Sequence, residues 1–386
     1  MRHFDFLSDA ERDKLFLLPP VAFDAAADPT LLAVALGATL YSPATRPNLA
    51  ADLTRRRREG VLSSVVCLED AIADSEVEAG QDNAIRQLRS LAERGAPAPL
   101  VFIRVRSCDQ IPAIVGGLGD QTSILTGFVL PKFRPANGAA YLDAVAQASQ
   151  RIDRRLYAMP VLESPEFIHT ETRATTLLAT RELLENYRES VLAIRLGVVD
   201  LSSIFALRRP RDLTIYDVRL VADVIADIVN TFGRVDGSGY IVTGGVWEHF
   251  ADNERLFKPQ LRQAPFVGGE ERKLRSQLIA GDLDGLIREV ALDKANGLTG
   301  KSVIHPGHVA AIHALSVVSH EEYCDAEAVL TAGRGGGVTA SAYRNKMNES
   351  KPHATWASRI MVRAQAFGVA RNGITFVDLL AAGLHQ

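Results

Sequence analysis

Two short apolar runs each deliver one carboxylate. Residues 157–162 are followed by Glu163, and residues 192–196 by Asp200. Between them, residues 168–186 have the length and charge pattern of a helix. The spacing predicts strand, helix, strand, with an acid just past each strand. In a parallel α/β fold the carboxyl ends of neighbouring strands lie on one face. Two carboxylates about one strand spacing apart ionise poorly without a cation. A hard divalent ion such as Mg²⁺, or Mn²⁺ in its place, suits such a pair. It takes a few carboxylate oxygens and keeps positions open for substrate and water. Either acid alone would serve equally as a helix cap.

Other strand ends carry charge as well. Arg46 follows the run at 39–42, and Glu69 and Asp70 follow 64–68. Arg104 and Arg106 end the run at 101–105, and Lys132 follows 127–130. Glu248 lies beyond 239–243 and His305 beyond 302–304. Several acids with arginines and a lysine are the inventory for a divalent metal and an anionic substrate. Arginine grips a carboxylate with a planar fork, and lysine supplies a compact charge. Each residue taken singly would also serve as a cap or in a surface ion pair.

Eight strand-like runs alternate with helical patterns at 48–59, 76–94, 139–151, 168–186, 217–232 and 283–296. That rhythm, over about 270 residues, predicts an α/β fold of the (β/α)₈ TIM-barrel type. A doubly wound open sheet is the alternative, but its usual Gly-rich first turn is here Ser42-Pro43-Ala44-Thr45-Arg46-Pro47. Residues 1–35 read as an N-terminal arm, 36–318 as the barrel, and 319–386 as a helical C-terminal extension. A long insertion, 248–275, follows the seventh strand.

The 386 residues are 47% hydrophobic and 23% charged, a balance that builds a core without staples. A net charge of −3 gives no global pull toward nucleic acid or an anionic membrane. Three cysteines at unrelated spacings make no disulfide framework or zinc pattern, so a cytoplasmic protein is expected. No stretch reaches the length of a membrane span, and the acidic N-terminus is no signal peptide.

Seven segments in order resemble the HpcH/HpaI aldolase and citrate lyase β-subunit-like family, with malyl-CoA lyases as relatives, in the phosphoenolpyruvate/pyruvate barrel superfamily. They are Tyr41 to Pro47, Cys67-Leu68-Glu69-Asp70-Ala71, Ile103-Arg104-Val105, Val129-Leu130-Pro131-Lys132, Leu162-Glu163-Ser164, Gly197-Val198-Val199-Asp200-Leu201 and Gly300 to Pro306. The resemblance implies that Glu163 and Asp200 bind Mg²⁺ and that Arg104 holds a substrate carboxylate or enolate oxygen. It makes Arg46 a second substrate- or phosphate-contacting arginine and places Lys132 near the site. Glu69 and Asp70 become an acidic pair near the metal water, one of them a candidate acid/base. It further implies a homo-oligomer, trimeric or hexameric.

The implied reaction is retro-aldol or retro-Claisen cleavage of a hydroxy acid or its CoA thioester. A Claisen-type condensing enzyme or thioesterase on a malyl-type CoA ester is the alternative on the same site, and a noncatalytic ligand-binding barrel the alternative from another class. Ala44-Thr45 stands where the family has Gly and a small or acidic residue, which weakens the case for coenzyme A. Arg55-Arg56-Arg57-Arg58 complements a helix end or, more sharply, clamps the phosphates of such a cofactor. Residues 295–302 mimic a P-loop, but with helix before and strand after, the reverse of what phosphate binding needs.

Overall fold

The computed structural model describes residues 1–250, 283–332 and 336–384. Most of the expected 248–275 insertion, and Gly335 at the start of the extension's glycine run, lie outside the described residues. Eight parallel strands form the barrel: β1 (Ala38–Pro43), β2 (Ser63–Cys67), β3 (Leu100–Arg104), β4 (Leu125–Leu130), β5 (Tyr157–Leu162), β6 (Ile194–Leu196), β7 (Val242–Thr243) and β8 (Lys301–Val303). Each pairs with its sequence neighbours, β1 pairs with β8, and a bridge from Gly244 to Lys301 closes the ring. The alternative of an open sheet is thereby excluded.

Helices α1 (Leu49–Arg58), α2 (Val77–Glu93), α3 (Gln110–Leu118), α4 (Pro135–Arg151), α5 (Thr170–Glu185), α6 (Arg219–Phe232), α7 (Leu283–Ala295) and α8 (Val309–Ser316) follow the strands. Strands β2 to β6 are buried along their whole length, as expected for strands covered on both faces. Outward residues such as Ile103, Phe128 and Leu162 pack with helix residues Leu88, Leu142 and Ile228. Inward residues Val65, Phe102, Val129 and Met159 belong to a second cluster that reaches the arm at Phe4 and Leu32 and the extension at Phe367.

Helix α3 has no counterpart in the sequence pattern. Its Pro112, Gly116 and Gly117 read as breakers. Pro112 sits in the first turn, where a missing amide costs little. Gly117 lets α3 approach α2 so closely that a Cβ there would lie 2.7 Å from Ile85. The sequence also concealed a tie between the two ends of the chain. Phe16–Leu18 in the arm pairs antiparallel with Val369–Ala370 in the extension. Among the described residues no helix is long and apolar enough to cross a membrane.

Barrel register depends on one close approach. A Cβ on Gly127 in β4 would lie 2.1 Å from the Tyr157 carbonyl oxygen in β5. Gly127→Ala must therefore push the two strands apart. We expect a loss of about 3 kcal/mol, at the upper end of overpacking costs, seen as a lower urea midpoint. An unchanged midpoint would contradict this strand pairing.

Candidate active site

Five successive strands present their carboxyl ends on one face, and the charged residues cluster there. Glu69 and Asp70 follow β2, Arg104 ends β3, and Lys132 follows β4. Glu163 follows β5, and Asp200 sits in the third position of a short helix, Val198–Ser203, after β6. The structure thus brings together six of the seven expected site residues.

Arg104 is the hub. Its Nη2 lies 2.7 Å from Glu69 Oε2, 3.0 Å from Asp70 Oδ2 and 3.0 Å from Glu163 Oε1. Burial opposes its charge, but the neighbouring Glu163, Tyr41 and Glu69 outweigh that and raise its proton affinity. Lys132 adds a second cation, with Nζ 2.5 Å from Glu69 Oε1 and 3.4 Å from Asp70 Oδ1. Burial again opposes, and the Glu69 hydrogen bond together with the charges of Glu69 and Asp70 pushes Lys132 up to about 12. The Lys132 backbone has φ +47°, a strained region for a side-chain-bearing residue. That conformation is held at both ends. Its N–H donates to Glu163 Oε1 at 2.8 Å, and its carbonyl accepts from Asn137 at 3.1 Å.

Glu163 is 3% exposed, so its two N–H donors have no competition from bulk water. Gly197 leaves room for its carboxylate, since a Cβ at 197 would lie 2.2 Å from Glu163 Oε2. Burial and the charge of Asp200 push Glu163 up to about 7 against the pull of Arg104. Burial and the charge of Asp70 likewise raise Asp200. Glu69 is raised by burial. Asp70 is lowered, because the hydrogen bond with Glu69 and the charges of Arg104 and Lys132 overcome its burial. The pair Glu163 and Asp200 therefore resists full ionisation in the protein alone.

Among the described residues there is no group of three or more His, Cys, Asp or Glu that could hold a metal. A two-carboxylate pair still fits Mg²⁺ or Mn²⁺, which bind through one or two carboxylates and fill the remaining positions with water and substrate. The donors are all hard oxygens, and each acid carries the signature of an uncompensated neighbour. The pair does not suit zinc, which favours nitrogen and sulfur.

Arg46 stands apart. Its Nε lies 2.7 Å from Asp52 Oδ2 in α1, and its side chain is 46% exposed. Asn83 Nδ2 donates to the carbonyls of Ala44 and Arg46 at 2.7 and 2.9 Å, pinning the loop after β1 against α2. In the arginine run, Arg55 pairs with Asp52, Arg56 with Glu59 and Arg57 with Asp5. Arg106 turns away from the cluster, donating to the carbonyls of Leu68 and Glu69 and pairing with Asp74. It steadies the loop that carries the acidic pair. Glu248 lies beside Arg209, and His305 stacks on Phe250. Lys301 of the P-loop-like segment is buried between Glu289 at 2.9 Å and Asp293 at 2.7 Å, unavailable to a phosphate.

The role of Gly197 was not read from the sequence, although it stands in the Gly197-Val198-Val199-Asp200 segment. Its signal is a glycine immediately after a strand and three residues before a candidate ligand.

The fold and the chain's residues also have counterparts among known proteins. A citrate lyase from Burkholderia xenovorans LB400 superposes with a TM-score of 0.61 at 16% identity, covering 90% of this chain and 96% of that one. CitE from Mycobacterium tuberculosis, in complex with magnesium, acetoacetate and coenzyme A, gives 0.53 at 19% identity, covering 86% and 99%. A malate synthase from Haloferax volcanii gives 0.51 at 14% identity, covering 71% and 72%. At such identities these likenesses speak for the fold. No curated protein sequence matches the chain. Residues 30–369 match the model of the C–C bond lyases of the TIM-barrel fold, and the chain belongs to that family.

Proposed function

We propose that this lyase uses a divalent cation, Mg²⁺ or Mn²⁺, to cleave a hydroxy acid or its thioester by a retro-aldol or retro-Claisen route. The observation that carries the reading is the single guanidinium of Arg104 bridging Glu69, Asp70 and Glu163, with Asp200 close enough to raise Glu163. The CitE neighbour is described in complex with magnesium, the small oxo acid acetoacetate and coenzyme A, which supports a metal and a carboxylate substrate here.

Glu163 and Asp200 would hold the cation. When bound it would act as a Lewis acid, stabilising charge on substrate oxygens as the bond breaks. Arg104 is placed to bind the substrate carboxylate or the developing enolate oxygen, because its other nitrogens are free of the three carboxylates at Nη2. Asp70, held ionised by Glu69, Arg104 and Lys132, is the group that takes the proton from the cleaved hydroxyl. Lys132 keeps that pair oriented.

The pinned loop after β1 favours a free hydroxy acid over a CoA thioester, since Arg46 is engaged by Asp52. We also expect a homo-oligomer, trimeric or hexameric, working in the cytoplasm.

Glu163→Gln and Asp200→Asn should each lower metal-dependent cleavage of a hydroxy-acid panel by at least ~10³-fold, a loss typical of removed electrostatic stabilisation. Full activity in either variant would end the metal assignment. Metal affinity should also depend on pH. The cation binds the carboxylate form, and Glu163 sits at about 7 before binding. Below that value protons compete, so Mg²⁺ affinity should fall by roughly tenfold per pH unit, with protons released on binding. Above it, affinity should level off. Calorimetry at pH 6 and pH 8 in buffers of different ionisation enthalpy reads both effects, and equal affinities would contradict the assignment.

A further inference from the structure

Cleavage beside a carbonyl leaves an enolate, and its carbon must gain a proton before the product is complete. On the reading above, the carboxylates are already committed. Glu163 and Asp200 hold the cation, Asp70 takes the hydroxyl proton, and Glu69 is bound by Arg104 and Lys132. Asp70 could hand its proton on to that carbon, but a separate acid beside the carbon would make the two transfers independent.

The interior of the barrel offers one. On β1, Thr39 points inward, where its Oγ1 accepts from Ser63 Oγ at 3.2 Å and from Arg195 Nη1 at 3.4 Å. Side chains on a strand alternate, so Tyr41 points into the barrel one layer nearer the carboxyl ends. The Arg195 guanidinium carbon lies 5.5 Å from the centre of the Tyr41 ring. On the mouth side, Tyr41 is among the groups that act most strongly on Arg104. Tyr41 pairs with Val65, and Val65 with Phe102, so the phenol lies over the Arg195 guanidinium and one inward layer below Arg104. Its hydroxyl makes no hydrogen bond among the described residues, yet it is not a sealed orphan and keeps contact with solvent.

Arg195 strengthens the case. It is 1% exposed and bonds only neutral partners, with Nη2 donating to Ser302 Oγ at 2.9 Å and Nη1 reaching Met159 Sδ at 3.6 Å. Among the described residues it has no carboxylate partner.

We infer that Tyr41 is the catalytic acid that protonates the enolate carbon. The inference rests on the lyase reading and adds a residue that it does not use. As the C–C bond breaks, its electron pair enters the enolate. The enolate carbon then takes the Tyr41 proton, forming a C–H bond and leaving a phenolate beside Arg195. The phenolate regains a proton from solvent, and Asp70 returns to solvent the proton it took from the hydroxyl. Both groups end the turnover as they began.

The test is Tyr41→Phe, which keeps the ring on Arg195 and removes only the hydroxyl. Metal-dependent cleavage of the hydroxy-acid panel is measured with and without hexacyanoferrate(III), which oxidises free enolates. The expected result is a kcat lower by roughly 100-fold or more, KM within threefold of the parent, an unchanged melting temperature, and oxidant consumed with each substrate cleaved. The parent enzyme should consume little oxidant. A variant with parental kcat overturns the inference. So does a slowed variant that consumes no oxidant, because the hydroxyl would then act before the bond breaks. Absence of cleavage in the parent enzyme removes the lyase reading and Tyr41's role together, whereas parental turnover in the variant removes Tyr41 alone.

Discussion

The site depends on a charge imbalance that the protein does not settle by itself. Four carboxylates, Glu69, Asp70, Glu163 and Asp200, meet on one face of the barrel with two cations, Arg104 and Lys132. Full ionisation would leave an excess of two negative charges. Arg104 absorbs as much of this as one guanidinium can, through contacts to three of the acids. What remains shows in the raised proton affinities of Glu163 and Asp200. A divalent cation would remove the excess, and an anionic substrate would then find Arg104 and the cation on the same side.

The scaffold serves this arrangement through small, local devices. The strand ends fix where each charge begins, but the loops decide where it points. Arg106 holds the carbonyls of Leu68 and Glu69. Asn137 and Glu163 hold Lys132 in a left-handed conformation. Gly197 clears the space that Glu163 occupies. Each device spends some backbone freedom to set a carboxylate or an ammonium within hydrogen-bond reach of Arg104. Behind them the barrel interior carries apolar residues such as Val65, Phe102, Val129 and Met159 and a polar layer around Arg195.

Much of this was legible in the sequence because parallel barrels put chemistry at strand ends. The eight strands follow from alternation, which puts Glu69, Asp70, Arg104, Lys132, Glu163 and Asp200 at strand ends together with Arg46, Arg106, Glu248 and His305; the resemblance to the lyase family singled out the first six and Arg46. What stayed hidden depends on pairing across the fold. Arg46 has the right place in the chain, but Asp52 takes its guanidinium, and nothing local announces that contact. Arg195 sits in an apolar run where its charge reads as a stray, and only barrel closure puts it beside Ser302, 107 residues away. Tyr41 reads as one more strand aromatic until Thr39 fixes which way it faces. Helix α3 was masked by Pro112 and its glycines, whose purpose is close packing on Ile85.

The central claim is that the carboxylate excess is a cation site. Electron paramagnetic resonance of Mn²⁺ tests it without needing a substrate. Titrating the 386-residue chain at pH 8 should remove the free-ion signal up to one equivalent per chain, and Mg²⁺ should restore it by competition. Asp200→Asn should leave the free-ion signal undiminished. A parent chain that leaves Mn²⁺ free at pH 8, or an Asp200→Asn variant that still takes one equivalent, would contradict the account.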